Sequence, residues 1–230
     1  MITFIIPSIG RESLFYSIES IINQTVAEWQ AIIVLDGITA NMLNIDTLNL
    51  LEDERFEVHE IEKMGTNINQ AAYVRNYGMS VINDNTEWIA FLDDDDTIAR
   101  DYIEIFKNEL LLYPNCDVYI YRMINNDQRI IPELNAINFK VCDVGISFII
   151  NRSIYKTGLE FELDGAEDFV YLNKIRKAGY KMIISPYVKY YVRNFEYPVA
   201  ETGKRGLINI VNPLLTFMGH LLISEIESKN

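Results

Sequence analysis

Apolar runs rich in β-branched residues alternate with helix-period stripes along the first half of the chain. Residues 2–6 (ITFII) read as a buried strand that ends at Pro7 and Ser8. Leu14, Ile18, Ile21 and Ile22 recur at helical spacing and predict a helix next. Residues 31–35 (AIIVL) predict a second strand, stopped by the turn pair Asp36 and Gly37. A helix over 41–51, an alternating strand over 56–61 and a helix over 69–82 follow. That last helix carries Ala71, Ala72 and Gly78, small residues that permit close packing. Residues 88–92 (WIAFL) make a fourth strand, and 101–113 a helix closed by Pro114. The βαβα order implies an α/β protein with a mostly parallel sheet and helices on both faces. Ligands of such sheets sit at the carboxyl ends of the strands. Ser8, Asp36 and the run Asp93, Asp94, Asp95 and Asp96 all fall there.

The second half is less regular. Residues 117–123 and 145–150 read as strands, and 167–178 as a helix with Gly179 at its C-cap. Residues 180–185 and 187–192 are strand-like, with Pro186 predicted to break them. Residues 195–206 are polar, with Pro198, Gly203 and Gly206, and read as a mobile loop. Asn212 and Pro213 start a final helix. Its stripe of Leu214, Leu215, Met218, Leu221 and Leu222 packs on the domain or lies on a membrane surface, the former being the commoner arrangement. No repeat or linker divides the chain, so one domain is expected over 1–230.

The four aspartates carry the densest chemistry. Carboxylates this close repel one another, which is costly in a cleft. A divalent cation removes the repulsion, and carboxylate oxygens suit Mg²⁺ or Mn²⁺. In an extended segment alternate side chains share a face, which pairs Asp93 with Asp95. The bland alternative is a solvated acidic turn.

A net charge of −13 argues against a general nucleic-acid binder, which needs a basic footprint. An anionic ligand would need local cations, either a metal or placed arginines. Cys116 and Cys142 show neither zinc spacing nor a disulfide framework, and two buried thiols in a reducing compartment are expected. The start has no basic region before its apolar run, so no signal peptide is expected, and no stretch has 18 continuous apolar residues. A cytoplasmic location follows, with peripheral membrane contact left open by the final stripe.

Segments 3–8 (TFIIPS), Arg11 and 20–25 (SIINQT) resemble the opening of family-2 glycosyltransferases. The resemblance continues through 34–37 (VLDG), Arg75 and Asn76, 91–96 (FLDDDD), 165–168 (GAED), 176–180 (RKAGY) and 190–193 (YYVR). Each piece is moderately specific; the ordered set is highly specific. It implies the GT-A fold, a Rossmann-like single domain with a mixed, mostly parallel central sheet. Residues 1–115 would form the nucleotide-sugar-binding half and 116–194 the acceptor-binding half. The implied donor is a nucleoside-diphosphate sugar, with a UDP-sugar favoured, and the acceptor is a hydroxyl of a glycan or other molecule. Asp95 is similar to the family's metal-binding position, for Mn²⁺ or Mg²⁺, with Asp93 and Asp94 beside it at the ribose and metal shell. Asp36 looks like the base-recognising aspartate, able to accept from a pyrimidine N–H. Pro7, Ser8, Arg11, Lys63 and Arg75 would line the nucleotide; a plain surface charge is the alternative, strongest for Lys63.

Asp168 resembles the catalytic base of inverting transfer, which takes the acceptor hydroxyl's proton. An aspartate in solution, with a pKa of about 3.9, is a weak base. Glu167 next door and partial burial would raise it. The alternative is an acid favoured at a helix start. No Gln-x-x-Arg-Trp signature of processive synthases is present, which favours single-sugar transfer. His220, on the final helix, lacks ligand spacing. Two other readings compete. Asp93, Asp95 and Thr97 fit the nucleophile motif of haloacid-dehalogenase-type phosphatases, although that motif usually opens its domain. A non-catalytic carbohydrate-binding protein would not need both the aspartate run and Asp168.

Overall fold

In the computed structural model, residues 1–63, 71–163 and 166–193 are described. The expected loop over 195–206, the final helix, His220 and Gly165 lie outside them, as does the start of the helix expected from residue 69. The order is β1 (Ile2–Ser8), α1 (Leu14–Ile22), β2 (Trp29–Asp36), α2 (Ile45–Leu50), β3 (Phe56–Ile61), α3 (Ala71–Ser80), β4 (Trp88–Phe91) and β5 (Asp96–Ile98). Then come α4 (Tyr102–Leu112), β6 (Val118–Ile124), β7 (Ile130–Ile131), β8 (Phe148–Asn151), α5 (Arg152–Tyr155), α6 (Glu167–Lys177) and β9 (Met182–Val192).

The strands form one mixed sheet in the order β3-β2-β1-β4-β8-β6-β9-β5, with β7 on β6. The long ladders among β1, β2, β3 and β4, and between β6 and β9, are parallel. The ladders of β8, β5 and β7 are short and antiparallel. β4 and β5 are almost adjacent in sequence, yet β8, β6 and β9 lie between them in the sheet. A flat sheet would hold them roughly 19 Å apart, at about 4.8 Å per strand. The connection from Phe91 to Asp96 reaches at most about 17 Å even when extended. It also contains a turn, closed by Asp96 N donating to the Asp93 carbonyl at 3.1 Å. The sheet must therefore curl, and the curl sets the acidic run beside the end of β9.

Helices cover both faces. Ile5 pairs with Ile32 in register, so both point to one face of the sheet. That face takes α3: Ile32 and Val34 cluster with Val74, and a Cβ on Gly78 would stand 2.5 Å from Ile5 Cγ2. α6 joins it, with Tyr171 against Phe161 and Phe148 and its hydroxyl donating to Met79 Sδ. The opposite face takes α4, through Phe4 with Tyr102 and Trp88 with Phe106.

Two expected elements change. The single helix over 41–51 is a 3-10 turn (Ala40–Met42) followed by α2, because Asn44 is extended and caps α2 by accepting from Thr47 N at 2.7 Å. Pro186 does not break β9. The β6–β9 ladder steps from Ile120 opposite Ile184 to Arg122 opposite Val188, and the bulge absorbs the proline's missing donor. Cys116 is buried, but Cys142 is exposed on a loop with φ of 68°, contrary to the expected buried pair. No described helix is long and apolar enough to cross a membrane.

Candidate functional site

The carboxyl ends of β1, β2 and β4 meet the start of α6 and the end of β9. Each strand hands over a polar residue where its ladder stops. The acidic turn is held from two sides. From α1, Ser17 Oγ donates to the Asp96 carbonyl at 2.7 Å and to the Asp93 carbonyl at 3.2 Å. Further along α1, Ser20 Oγ accepts from Ile98 N, and just past the helix Gln24 donates to the Ala99 carbonyl and accepts from Ile103 N. From β9, the buried Tyr190 hydroxyl accepts from Asp93 N at 3.2 Å and bonds the Asp96 carboxyl.

Within this frame the aspartates divide. Asp94 turns back into the protein, accepting from Ser8 Oγ at 2.7 Å, Ile9 N at 3.3 Å and Arg11 Nη1 at 2.6 Å. It clasps the loop after β1, where Gly10 at φ of 80° has no room for a Cβ against Ile38. Burial pushes the Asp94 carboxyl above the usual range against the pull of Ser8 and Arg11. Carboxylate oxygens of Asp93, Asp95 and Asp96 lie within 4.8 Å of one another. Asp95 accepts from Arg193 Nε at 3.0 Å, and Asp96 accepts from Arg193 N at 2.9 Å. Burial, then the charge of Asp93, push Asp96 up to about 8. The sequence pairs Asp93 with Asp95 by alternation. Asp96 joins them because the segment turns at 94–95 instead of running extended. Three hard oxygen donors this close fit a divalent cation such as Mg²⁺ or Mn²⁺.

Arg75, on α3, is fully buried. Nη2 donates to Asp93 Oδ1 at 2.6 Å, Nη1 donates to Glu167 Oε1 at 3.3 Å, and Asp168 Oδ1 lies 3.7 Å from Nη1. Burial opposes its charge, but Asp93, Asp168 and Glu167 outweigh that and hold its pKa above the usual arginine value. The next residue, Asn76, exchanges two 2.9 Å bonds with the Phe161 backbone. Asp168, in the first turn of α6, is pushed up to about 7. Burial is the main cause, Asp93 and Glu167 add to it, and Arg75 opposes it. A fraction of 24% of its side chain stays exposed.

Asp36 ends β2 and is buried. The exposed Lys63, beyond β3, lies across Gly37, where a Cβ would collide with Lys63 Cβ. Pro7 is buried in β1. The structure thus gathers Ser8, Arg11, Asp93, Asp94 and Asp95 at one place, and Arg75 joins Asp93 to Asp168. Asp36 and Lys63 stand together at the end of the neighbouring strand. Tyr190 and Ser17, and Arg193 as a partner of Asp95, are additions that the sequence reading did not single out, while Asp96, read there only as a member of the aspartate run, joins the oxygen cluster. Arg193 closes the 190–193 motif, which was the available signal. A cleft of about 440 Å³ runs along the loop before β8, lined by Glu133, Asn135, Ile137, Asn138 and Asp143 among others. Phe139 in its wall packs on Phe169, next to Asp168. Buried Arg122 holds this loop by donating to the carbonyls of Glu133, Leu134 and Ala136.

A model of the family described as Glycosyl transferase family 2 matches residues 3–140. No curated protein sequence matches the chain. Among solved structures, S. aureus TarS 1–349 is similar with a TM-score of 0.67 at 18% identity, covering 83% of this chain and 60% of that one. TarS 1–349 in complex with UDP-GlcNAc gives 0.66 at 17% identity, over 86% and 60%. The mannosyltransferase PcManGT from Pyrobaculum calidifontis, in complex with GDP-Man and Mn²⁺, gives 0.62 at 17% identity, over 89% and 58%. At such identities the likeness speaks for the fold, and the chain spans about 60% of the length of these proteins.

Proposed function

The chain belongs to glycosyl transferase family 2 and has the GT-A fold, and we propose that it moves one sugar from a nucleoside-diphosphate sugar to an acceptor hydroxyl with inversion. The observation that supports this best is one buried guanidinium touching both Asp93 of the aspartate turn and the first turn of α6, which carries Asp168. A donor-side acid cluster and a solitary reachable base stand one arginine apart.

Asp168 is the base. It takes the proton of the acceptor hydroxyl as that oxygen bonds to the anomeric carbon, while the bond from that carbon to the diphosphate oxygen breaks. With a single base and no covalent intermediate, the displacement inverts the anomeric centre. A pKa raised towards 7 makes Asp168 a better proton acceptor than an ordinary aspartate while leaving it substantially ionised near neutrality. Asp93, Asp95 and Asp96 would hold a divalent cation, which supplies charge neutralisation to the departing diphosphate. Arg11 and Arg193, both partly exposed beside Asp95, add positive charge on that side. Asp36 accepts from the base of the nucleotide, with Lys63 at its edge, and Pro7 and Ser8 shape the floor. Asp94 acts through the β1 loop, which it fastens. The cleft beside Phe139 belongs to the acceptor-binding half. TarS in complex with UDP-GlcNAc favours a UDP-sugar, although the mannosyltransferase complex holds GDP-Man. The family match leaves the phosphatase reading of Asp93, Asp95 and Thr97 without support.

The test is a nucleotide-sugar panel with Mn²⁺, read by nucleoside-diphosphate release and by NMR of the product linkage. Slow donor hydrolysis and an inverted linkage are expected. Asp95→Asn should abolish Mn²⁺-dependent nucleotide binding in calorimetry while the protein stays folded, because the substitution keeps the side chain's size at a strand end and relieves repulsion among the aspartates. Retained configuration, or undiminished Mn²⁺-dependent binding by Asp95→Asn, overturns the mechanism.

A further inference from the structure

We infer that Arg75 is a positioning residue: its buried guanidinium locks Asp93 of the aspartate turn and the Glu167–Asp168 start of α6 into one unit and thereby fixes the orientation of the base. This rests on the reading of Asp168 given above. The contacts come from three separate elements. α3 supplies the arginine, the segment just after β4 supplies Asp93, and α6 supplies the two acids.

Asp168 Oδ1 is buried and accepts no hydrogen bond among the described residues. The charge of Arg75, 3.7 Å away, is what holds that oxygen in place. The other oxygen, Oδ2, lies toward Gly145, where a Cβ would stand 3.9 Å from it. The side chain that Gly145 lacks would stand 2.9 Å from Met123 Sδ, so glycine lets Met123 pack beside Oδ2. Arg75 is itself immobilised, with the Phe161 ring 5.5 Å from its Cζ and Asn76 fastening the Phe161 backbone. A planar fork can serve Asp93 and Glu167 with different nitrogens at once, and a lysine ammonium on a flexible stem cannot reproduce that geometry. Misplacing a reacting group by about 1 Å can cost on the order of 10²-fold in rate.

The experiment compares wild type, Arg75→Lys and Arg75→Met. Calorimetry gives the affinity for UDP with Mn²⁺, kinetics gives kcat and donor KM, and carbon NMR follows the titration of the Asp168 carboxyl. Arg75→Lys is expected to keep nucleotide affinity and donor KM while kcat falls by about 10²-fold. The Asp168 midpoint should rise in both variants, more in Arg75→Met. Asp93 facing it from just after β4 and Glu167 on its own helix both raise it, and Arg75 from α3 is the charge that opposes them. An Arg75→Lys enzyme with wild-type kcat overturns the inference. So does a loss of affinity that matches the loss of kcat, which would make Arg75 a donor-binding residue. If wild type turns over no donor at all, the glycosyl-transfer reading fails, and the NMR titration decides on Arg75 alone. An unmoved Asp168 midpoint then overturns the link. Should Arg75→Met not fold, Arg75→Lys carries every arm.

Discussion

At the scale of single residues, Asp168 makes the sharpest claim. Its carboxyl titrates near 7 because burial, Asp93 and Glu167 outweigh Arg75. In the proposed mechanism the ionised form is the base, so kcat/KM should rise with pH up to about 7 and level off above it. A cation on Asp93 would withdraw one of the charges that raise it, so the measured limb lies at or below that value. Stability follows the opposite sense. A carboxyl whose folded pKa is raised contributes stability below the usual carboxylate range, and that contribution is lost as pH rises through about 7. Asp168→Asn should therefore gain stability relative to wild type as the pH increases. Its transfer rate should fall by roughly 10²–10⁴ while donor and Mn²⁺ binding survive. Urea melts across pH and a pH–rate profile check both signs. Full activity in Asp168→Asn would remove it as the base. The sequence singled out Asp168 and Asp95 as candidates because their motifs are local. It could not show that Asp96 clusters with Asp93 and Asp95, or that Tyr190 bonds Asp93, because these contacts depend on a turn and on a strand almost a hundred residues away.

At the scale of elements, the sequence showed where helices run better than where they bend. Leu14, Ile18 and Ile21 mark the buried face of α1, but its buried serines Ser17 and Ser20, with Gln24 just past its end, do the positioning of the 93–103 segment. Hydrophobic periodicity is blind to such polar contacts. Asn44 split a helix that apolar spacing alone would have joined, and Pro186 sits in a strand whose bulge no local rule announces. The small residues of α3 were read correctly as a close-packing device, and Gly78 shows why. An alanine in a helix interior gains about 1 kcal/mol over glycine. Here its methyl would stand 2.5 Å from Cγ2 of Ile5, a β-branched, fully buried side chain in the middle of β1. Overpacking of this kind costs about 1–3 kcal/mol. Gly78→Ala should therefore lower unfolding free energy despite better helix propensity, with the urea m-value unchanged. A stabilised Gly78→Ala variant would show that α3 can move away from the sheet at little cost.

At the scale of the molecule, the alternating pattern of the first half implied a parallel sheet, but not its curl. The curl follows from a short connection that must join β4 to an edge strand beyond β9. It places residues from both halves around one site: Ser8, Asp36 and the aspartates from the first, Asp168, Tyr190 and Arg193 from the second. A ligand bound there should stabilise the whole chain, because it bridges elements that unfolding would separate. Binding to the folded state alone adds about 2.7 kcal/mol at a ligand concentration of 100 Kd. For a chain of this length that is on the order of 5–10 °C in Tm. UDP with Mn²⁺ should produce such a shift, and UDP with a chelator should produce much less, since the three clustered carboxylates then repel the diphosphate. GDP and ADP with Mn²⁺ should shift Tm less than UDP if Asp36 accepts from a pyrimidine N–H. Asp36→Ala should weaken UDP binding by about 1–3 kcal/mol, the range for losing a charged hydrogen-bond partner, and should erase the preference among bases. Thermal shifts and calorimetry on the two proteins with three nucleotides measure all of this. A larger shift with GDP than with UDP would overturn the base assignment while leaving the cation cluster standing; equal shifts with and without Mn²⁺ would overturn the cluster instead.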